Sequence, residues 1–391
     1  MLSDYITPES QYLETRNIMD RVQRIAPFLL YDQDPYLVLG EDGHLYYLLD
    51  AYTVTDKYPY SQAVGEAGSF NYMRNSVKIV INAYSGEVDF YVFDQEDPII
   101  KVYSKIYPTL FKSSADFPQD LRAHIRYPED FFTIQSLMIR DYHMMNPTVF
   151  FTREDRWEFG REVYWGELQV QEPFYSIIRL PGEEKEEFIL MRVFSPARKQ
   201  NMIAWLAARS DGDNYGKLLL YKFPKGVQIP GTAQVESLID QDSEISSQLT
   251  LWGQGGSRVL RGNLLVYPIA GSLLYVEPLY IEAEQNKYPQ LKKVFVYYKD
   301  TIVMEDTLEQ ALVSIFGGDV GKDALSSPEE HTEAESGIIV HEDTFQELFM
   351  RLVDLHREGR EKIKAGDWAG YGRIQKEIDS LIGKRWDDED K

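Results

Sequence analysis

The sequence predicts an α+β protein: a mixed, largely antiparallel β core with inserted helices, then an acidic linker and a C-terminal helical hairpin. Three observations predict it. Paired apolar runs separated by Gly-bearing turns recur between 34 and 306. The apolar spacing switches from the strand period to the helical one at 98–143 and again at 238–252. Composition then changes abruptly: 323–343 holds seven acids and no lysine or arginine. The organisation expected is a core over 1–320, a flexible linker over 321–343 and a helical hairpin over 344–386.

Taken in order, 7–30 is expected to open with a helix, because Thr7-Pro8-Glu9 offers a cap, a first-turn proline and an early acid. Ile18, Met19, Val22, Ile25 and Ala26 follow at helical spacing before Pro27 stops it. Residues 34–53 read as a hairpin around Gly40-Glu41-Asp42-Gly43. A second hairpin spans 71–100: Val77, Ile79 and Ile81 alternate with polar neighbours, Ser85-Gly86 turns, and Val88, Phe90 and Val92 alternate again, the pattern of half-buried antiparallel strands. Helical spacing then brings Ile99, Val102, Ile106 and Leu110 to one face; Pro118 can start a helix, and Pro128 interrupts one that resumes over 129–143. Strands return at 187–194, 202–209 and 216–223, with the acidic 182–187 as a loop tip. A helix is expected at 238–252, a strand pair at 258–269 and 272–283, a strand and turn at 294–306 and a short helix at 308–316. Beyond the linker, Phe345, Leu348, Phe349, Leu352 and Leu355 face a second stripe of Trp368, Tyr371, Ile378, Leu381 and Ile382, with Gly366 and Asp367 between them.

Composition narrows the function classes. The 391 residues carry 41 lysines and arginines against 63 acids, a net charge of −22 that repels phosphate backbones, so no nucleic-acid partner is expected. With no cysteine, disulfides, thiolate zinc sites and cysteine nucleophiles are excluded. No run reaches the roughly 18 apolar residues of a membrane span. The 27 tyrosines suit strand faces where a ring packs and its hydroxyl stays wet; they would equally suit an aromatic platform for a glycan or peptide.

Catalytic signatures are weak. There is no G-x-S-x-G elbow, Gly253-Gln254-Gly255-Gly256 lacks the lysine of a phosphate loop, and His341-Glu342 is followed by Phe345 where a zincin needs histidine. Of the histidines, only His124 and His143 could meet in the core. Two acidic turns have oxygen-ligand spacing for calcium: Asp211, Asp213 and Asn214, and Asp240, Asp242 and Glu244. Ile245 and Leu251 stand where an EF-hand needs glycine and glutamate, and an ordinary turn accounts for Asp211–Asn214, so no cofactor is expected and calcium is the one metal to test. Arg122, His124 and Arg126, beside Glu129 and Asp130, could receive an anion or pair internally; Glu154-Asp155 near Trp157 could form a glycosidase-like carboxylate pair.

Long segments resemble uncharacterised protein family 0182: 16–29, 34–53, 58–62, 71–100, 121–132, 201–226, 238–269, 272–281 and 366–374. Members of that family look like several N-terminal transmembrane helices followed by a large extracytoplasmic region in bacteria. The resemblance implies that this chain is an excised C-terminal piece of such a protein, reaching the cell membrane through helices it does not itself contain. Asn82 stands where the family's more usual residue is aspartate. The expected function is therefore binding or assembly in the cell envelope, with an envelope protein, a glycan or a second copy of the chain as partner. The alternative is an envelope enzyme acting on glycan or peptide through a carboxylate pair.

Overall fold

The computed structural model describes residues 14–317 apart from 66–67, 225, 255, 270–271 and 284–285, together with Thr7, Ser10, Lys362 and Ile374. The chain separates into two compact units, Met1–Asp323 and Ala324–Lys391. The expected linker and the stripes of the expected hairpin lie outside the described residues; Lys362 and Ile374 are both helical.

Among the described residues the first unit is mixed α+β, built on three sheets that are antiparallel except for one strand pair. The first sheet contains β1 (Leu30–Tyr31), β2 (Tyr36–Leu39), β3 (Leu45–Thr55), β4 (Tyr72–Asn82), β5 (Val88–Val92) and β6 (Phe111–Ser113). Its spatial order is β1-β3-β4-β5-β6, with β2 pairing β3. The short β6 runs parallel to β5, a strand that the helical spacing of 98–143 hides. Between them, α2 (Pro98–Ile106) supplies the crossover that a parallel pair requires. The opening helix is shorter than expected: α1 covers Ile18–Ile25 and is capped by Asn17, whose side chain accepts from the amides of Met19 and Asp20. Ser10 and 14–16 are not helical, and the rest of the expected opening, 8–9 and 11–13, lies outside the described residues. Asn17 wins because it lies immediately before the apolar stripe that packs on the sheet.

Both faces of this sheet are covered, so the expectation of half-buried strands is corrected. One face packs Leu49, Ala51, Val77, Ile79, Ile81 and Phe90 against Val22, Ala26 and Ile100 of the two helices. The other packs Val38, Leu48, Val80 and Tyr91 under Phe117, Leu121 and Ile125. A buried aspartate ties the layers together. Asp97 caps α2 through the amides of Ile99 and Ile100, and accepts hydrogen bonds from Thr53, Ser76 and Tyr72 across two strands. Burial works to raise its pKa; the hydrogen bonds from Ser76, Thr53 and the Ile99 amide outweigh it and hold the carboxylate below its usual range.

A helical stretch then crosses to the second sheet: α3 (Gln119–Arg122), α4 (Glu129–Tyr142) and α5 (Pro147–Thr152). The second sheet runs β10 (Phe174–Arg179), β11 (Glu186–Pro196), β13 (Ala204–Arg209), β14 (Leu218–Lys222), with β7 (Trp157–Phe159) also on β11. Two small ladders flank it: β8 (Arg161–Tyr164) with β9 (Glu167–Val170), and β12 (Asn201–Met202) with β15 (Ile229–Pro230). The helix expected at 238–252 is two helices, α6 (Thr232–Gln241) and α7 (Ser243–Trp252). Asp242 leaves helical geometry and caps α7 by accepting from the amides of Glu244 and Ile245. The third sheet contains β16 (Ser257–Arg261), β17 (Leu265–Ile269), β18 (Ser272–Ala283), β19 (Asn286–Tyr298) and β20 (Thr301–Glu305), closed by α8 (Leu308–Phe316).

The largest core lies between the second and third sheets and α6–α7, with Ile189, Met191, Val193, Trp205, Val235, Ile239, Tyr275 and Phe295 among its members. Beneath it sits a charged knot. Arg261 ion-pairs Glu277 and Glu236, each at 2.6 Å, and Asp240 at 2.8 Å, while Glu277 is fully buried. Arg261 is held more firmly protonated despite its burial, by hydrogen bonds and attraction from Glu277. Burial pushes Glu236 and Glu277 the other way, above the carboxylate range, because one guanidinium cannot neutralise three carboxylates.

Candidate functional site

β3 and β4 pair so that Asp50 lies directly across from Lys78. Strand alternation puts both on the face of Leu48 and Val80, away from α1. The Lys78 ammonium ion-pairs the Asp50 carboxylate, and each side chain is only 5% exposed. Asn75 donates through Nδ2 to the same carboxylate at 2.9 Å, while its own Oδ1 is buried without a partner among the described residues. The ammonium also sits 5.0 Å from the centre of the Tyr215 ring and 5.6 Å from that of Phe93. Such cation–π contacts offset part of the cost of taking a lysine out of water.

Above this floor is a cavity of about 330 Å³. Its walls are Phe93 after β5, Tyr127 just before α4, Phe131 and Gln135 on α4, and Tyr215-Gly216 in the turn between β13 and β14. Gly216 closes that turn at a φ of +84°, which an L side chain rarely adopts. Tyr127 is fixed at both ends: its amide donates to the Ser210 hydroxyl at 3.1 Å and its phenol donates to Gln135 Oε1 at 2.7 Å. Burial pushes the Tyr127 phenol up to about 12 and Tyr215 further above its ordinary value, so both act as neutral hydroxyls. At the rim, Arg74 donates through Nε to Asp94 at 2.6 Å. The site thus holds two cations and two carboxylates, each committed to the other, with aromatic walls and amide groups among them. That arrangement suits binding an uncharged polar group. A larger groove of about 960 Å³ runs beside α1, and two of its charged residues, Glu14 and Arg24, are exposed and pair at 3.8 Å.

Behind Phe131, which stacks on Tyr52, lies an acidic junction. The buried Asp32 accepts from the Tyr52 phenol and from the Asp130 amide at the start of α4. Asp130 in turn accepts from the Gln33 amide at 3.0 Å. Burial raises Asp32 to about 6 against the pull of Tyr52. Burial also raises Glu129 to about 7, with the Asp34 charge adding to it. Arg126 pairs with Asp34 and lies over the rings of Tyr36 and Tyr175 at 4.0 and 4.6 Å.

The basic triplet of 121–132 therefore does not converge on an anion. Arg126 is spent on Asp34, Arg122 lies over Phe93 and Phe117 and donates to the Ser114 carbonyl, and His124 is exposed. His143 is elsewhere, stacked on Trp157 at 3.6 Å, with its ring nitrogens against the carbonyls of Ile139 and Asp155. Trp157 is buried while Glu154 and Asp155 are exposed.

The oxygen-rich turns are committed to the fold. Asp211 accepts from the Phe188 amide at 2.8 Å, and Asn214 donates to Glu187 and accepts from Lys217. Asp213 lies in the short 3₁₀ turn between them. Asp240 pairs with Arg261, Asp242 is the cap of α7, and Glu244 supplies its amide to that cap. Among the described residues no group of three or more histidine or acidic side chains could hold a metal ion. Asn82 has a turn role, accepting from the amides of Tyr84 and Ser85.

Sequence reasoning missed Asp50, Asn75 and Lys78. A signal was there: one charge inside each of two neighbouring apolar runs, LLDAY and VKIVI. Tyr127, Phe131, Gln135 and Tyr215 reach the site only through packing, which no spacing along the chain announces.

Among the described residues no helix is long and apolar enough to cross a membrane. The model of the Uncharacterised protein family (UPF0182) matches residues 1–252. Among curated relatives, each called a UPF0182 protein, one from Pelotomaculum thermopropionicum is 50% identical over 385 residues, covering 98% of this chain and 41% of the relative. One from Desulforamulus reducens is 49% identical over 97% of this chain, and one from Moorella thermoacetica is 48% identical over 98%; again 41% of each relative is covered. The chain thus spans about two fifths of the length of these relatives. No solved structure matches.

Proposed function

The chain belongs to the uncharacterised protein family UPF0182, and from that membership we propose that it is the extracytoplasmic domain of a multi-pass membrane protein, working by binding or assembly in the cell envelope. The binding reading rests above all on the cavity over Asp50 and Lys78: aromatic walls, a buried acceptor left unpartnered at Asn75, and charges that cancel within the site. Binding is favoured over catalysis because Asp50 and Asp94, the carboxylates beside the cavity, are each tied to a cation rather than poised as an acid and base. The membrane reading draws on the resemblance and on the length of the relatives, of which this chain covers 41%, leaving ample chain for spans.

Topology is testable because the chain has no cysteine. Leu168, 59% exposed on β9, becomes the one label site of this chain as Leu168→Cys, introduced into a full-length protein in which any cysteine outside this chain is replaced by serine. A membrane-impermeant maleimide should label it in intact cells. Labelling only after lysis would overturn the extracytoplasmic placement.

A further inference from the structure

We propose that the cavity over the Asp50–Lys78 pair is a binding site for a neutral, hydroxyl-rich ring, the terminal sugar of a glycan. This deepens the binding reading by naming the ligand class, and does not depend on which side of a membrane the domain faces.

Charge comes first. Asp50 neutralises Lys78 on the floor and Asp94 neutralises Arg74 at the rim. A phosphate or carboxylate entering would meet two carboxylates, and a cation would meet the buried ammonium. An uncharged ligand meets neither penalty. Hydrogen-bonding capacity is the second argument. The Lys78 ammonium has three protons, and its hydrogen bond is to Asp50. Gln135 uses its oxygen on Tyr127, which leaves its amide NH₂ as donor. Asn75 uses its NH₂ on Asp50, which leaves a buried oxygen as acceptor. That oxygen is the acceptor left over for a ligand hydroxyl. Donors and an acceptor lining one cavity match the hydroxyls of a sugar, each of which gives one hydrogen bond and accepts others.

Shape is the third. Phe93, Tyr127, Phe131 and Tyr215 line the cavity with aromatic surface on which the C–H groups of a sugar can pack, while its hydroxyl edge turns to the polar floor. At about 330 Å³ the cavity is near the lower end of the roughly 300–1,000 Å³ usual for small-molecule sites. That is room for one ring, not for an extended chain. A peptide would bring one donor and one acceptor per residue at extended spacing, which a cavity of about 330 Å³ cannot follow.

The test is saturation-transfer NMR on the full chain with millimolar methyl β-glucoside and N-acetylglucosamine. N-acetylalanine methylamide serves as a blocked peptide probe and inorganic phosphate, followed by phosphorus line width, as an anion probe. The expected result is transfer to at least one sugar, no peptide or phosphate response, and sugar affinity lowered roughly tenfold or more in Asn75→Ala and Gln135→Leu. Gln135 lies on the wall rather than in the buried ion pair, so Gln135→Leu carries the test if Asn75→Ala does not fold. Overturning results are no transfer to either sugar, response only to the peptide or to phosphate, or sugar binding unchanged in the folded variants. Failure here leaves the cysteine-labelling result standing, and the reverse also holds.

Discussion

Replacing Lys78 by methionine isolates the energetics of the cavity floor. Methionine keeps the length of the side chain and removes the ammonium. Asp50, 4% exposed, is then left with a hydrogen bond from the neutral Asn75 amide and no cation. Removing one partner of a buried pair costs about 3–5 kcal/mol, because the survivor stays charged and dry. The cation–π contacts to Tyr215 and Phe93, at 5.0 and 5.6 Å, are lost as well, worth about 1 kcal/mol in such a setting. Lys78→Met should therefore destabilise by about 4–6 kcal/mol. Asp50→Leu alone should cost a similar amount, since it strands the ammonium and the Asn75 amide. The double variant should cost far less than the sum, because two well-packed apolar side chains leave no buried charge behind. Urea unfolding of all four proteins, followed by tryptophan fluorescence, closes the double-mutant cycle. A coupling of about 3 kcal/mol or more is expected. Additive losses would refute the reasoning, since they would mean that the two charges are solvated independently rather than buried on each other.

Acidity, a tight glycine and the oxygen-rich turns give three further expected outcomes. Asp32 and Glu129 have folded pKa values raised to about 6 and about 7; their stabilising effect is complete below the unfolded carboxyl value, near pH 4, and is lost as pH rises through 6 and 7. Melting temperature in high salt should therefore fall between about pH 4 and pH 7, and Glu129→Gln should flatten the fall; an equal slope in the variant would count against Glu129 as a source. Gly231→Ala places a Cβ 1.8 Å from the Gln200 carbonyl oxygen and should cost about 3 kcal/mol or more by denaturant melt, whereas a near-neutral result would mean that the 200–231 contact yields freely. Millimolar calcium at fixed ionic strength should not raise the melting temperature over magnesium, because Asp211, Asn214, Asp240 and Asp242 already serve the fold; a rise of several degrees with calcium alone would restore a metal site.

Much of the architecture was legible. The hairpins around Gly40–Gly43 and Ser85-Gly86 are where alternation and turn residues put them, and α2 begins at Pro98. Local signals settle such elements because the information lies within a few residues. The misreadings share a cause. Thr7-Pro8-Glu9 carries a helix cap's chemistry, yet Asn17 holds that role because it adjoins the stripe that packs on the sheet. Asp242 sits in a continuous helical period, but its side chain offers the backbone a better partner and breaks the helix in two. Ser76, Lys78 and Val80 alternate with an apolar face and so read as wet; Asp97 takes up Ser76, Phe93 and Tyr215 lie over Lys78, and the segment from Phe117 to Ile125 covers Val80, none of which β4 itself records. The site was hidden for the same reason, since its members come from β3, β4, α4 and the turn after β13.

The three sheets have a consequence for how the chain acquires its structure. Each is made from strands adjacent in sequence: 30–113, 157–222 and 257–305. Contacts of short sequence separation form early, and a chain leaving the ribosome can complete each sheet before the next is synthesised. The Asp50–Lys78 pair lies wholly in the first sheet, whereas Tyr215 arrives with the second. Until the two dock, that pair is open to water and cheap to keep; docking is the step that dries it. The cavity is therefore a late product of assembly, and hydrogen exchange should find the amides of Tyr127 and Tyr215 opening at lower free energy than the central amides of β3 and β4.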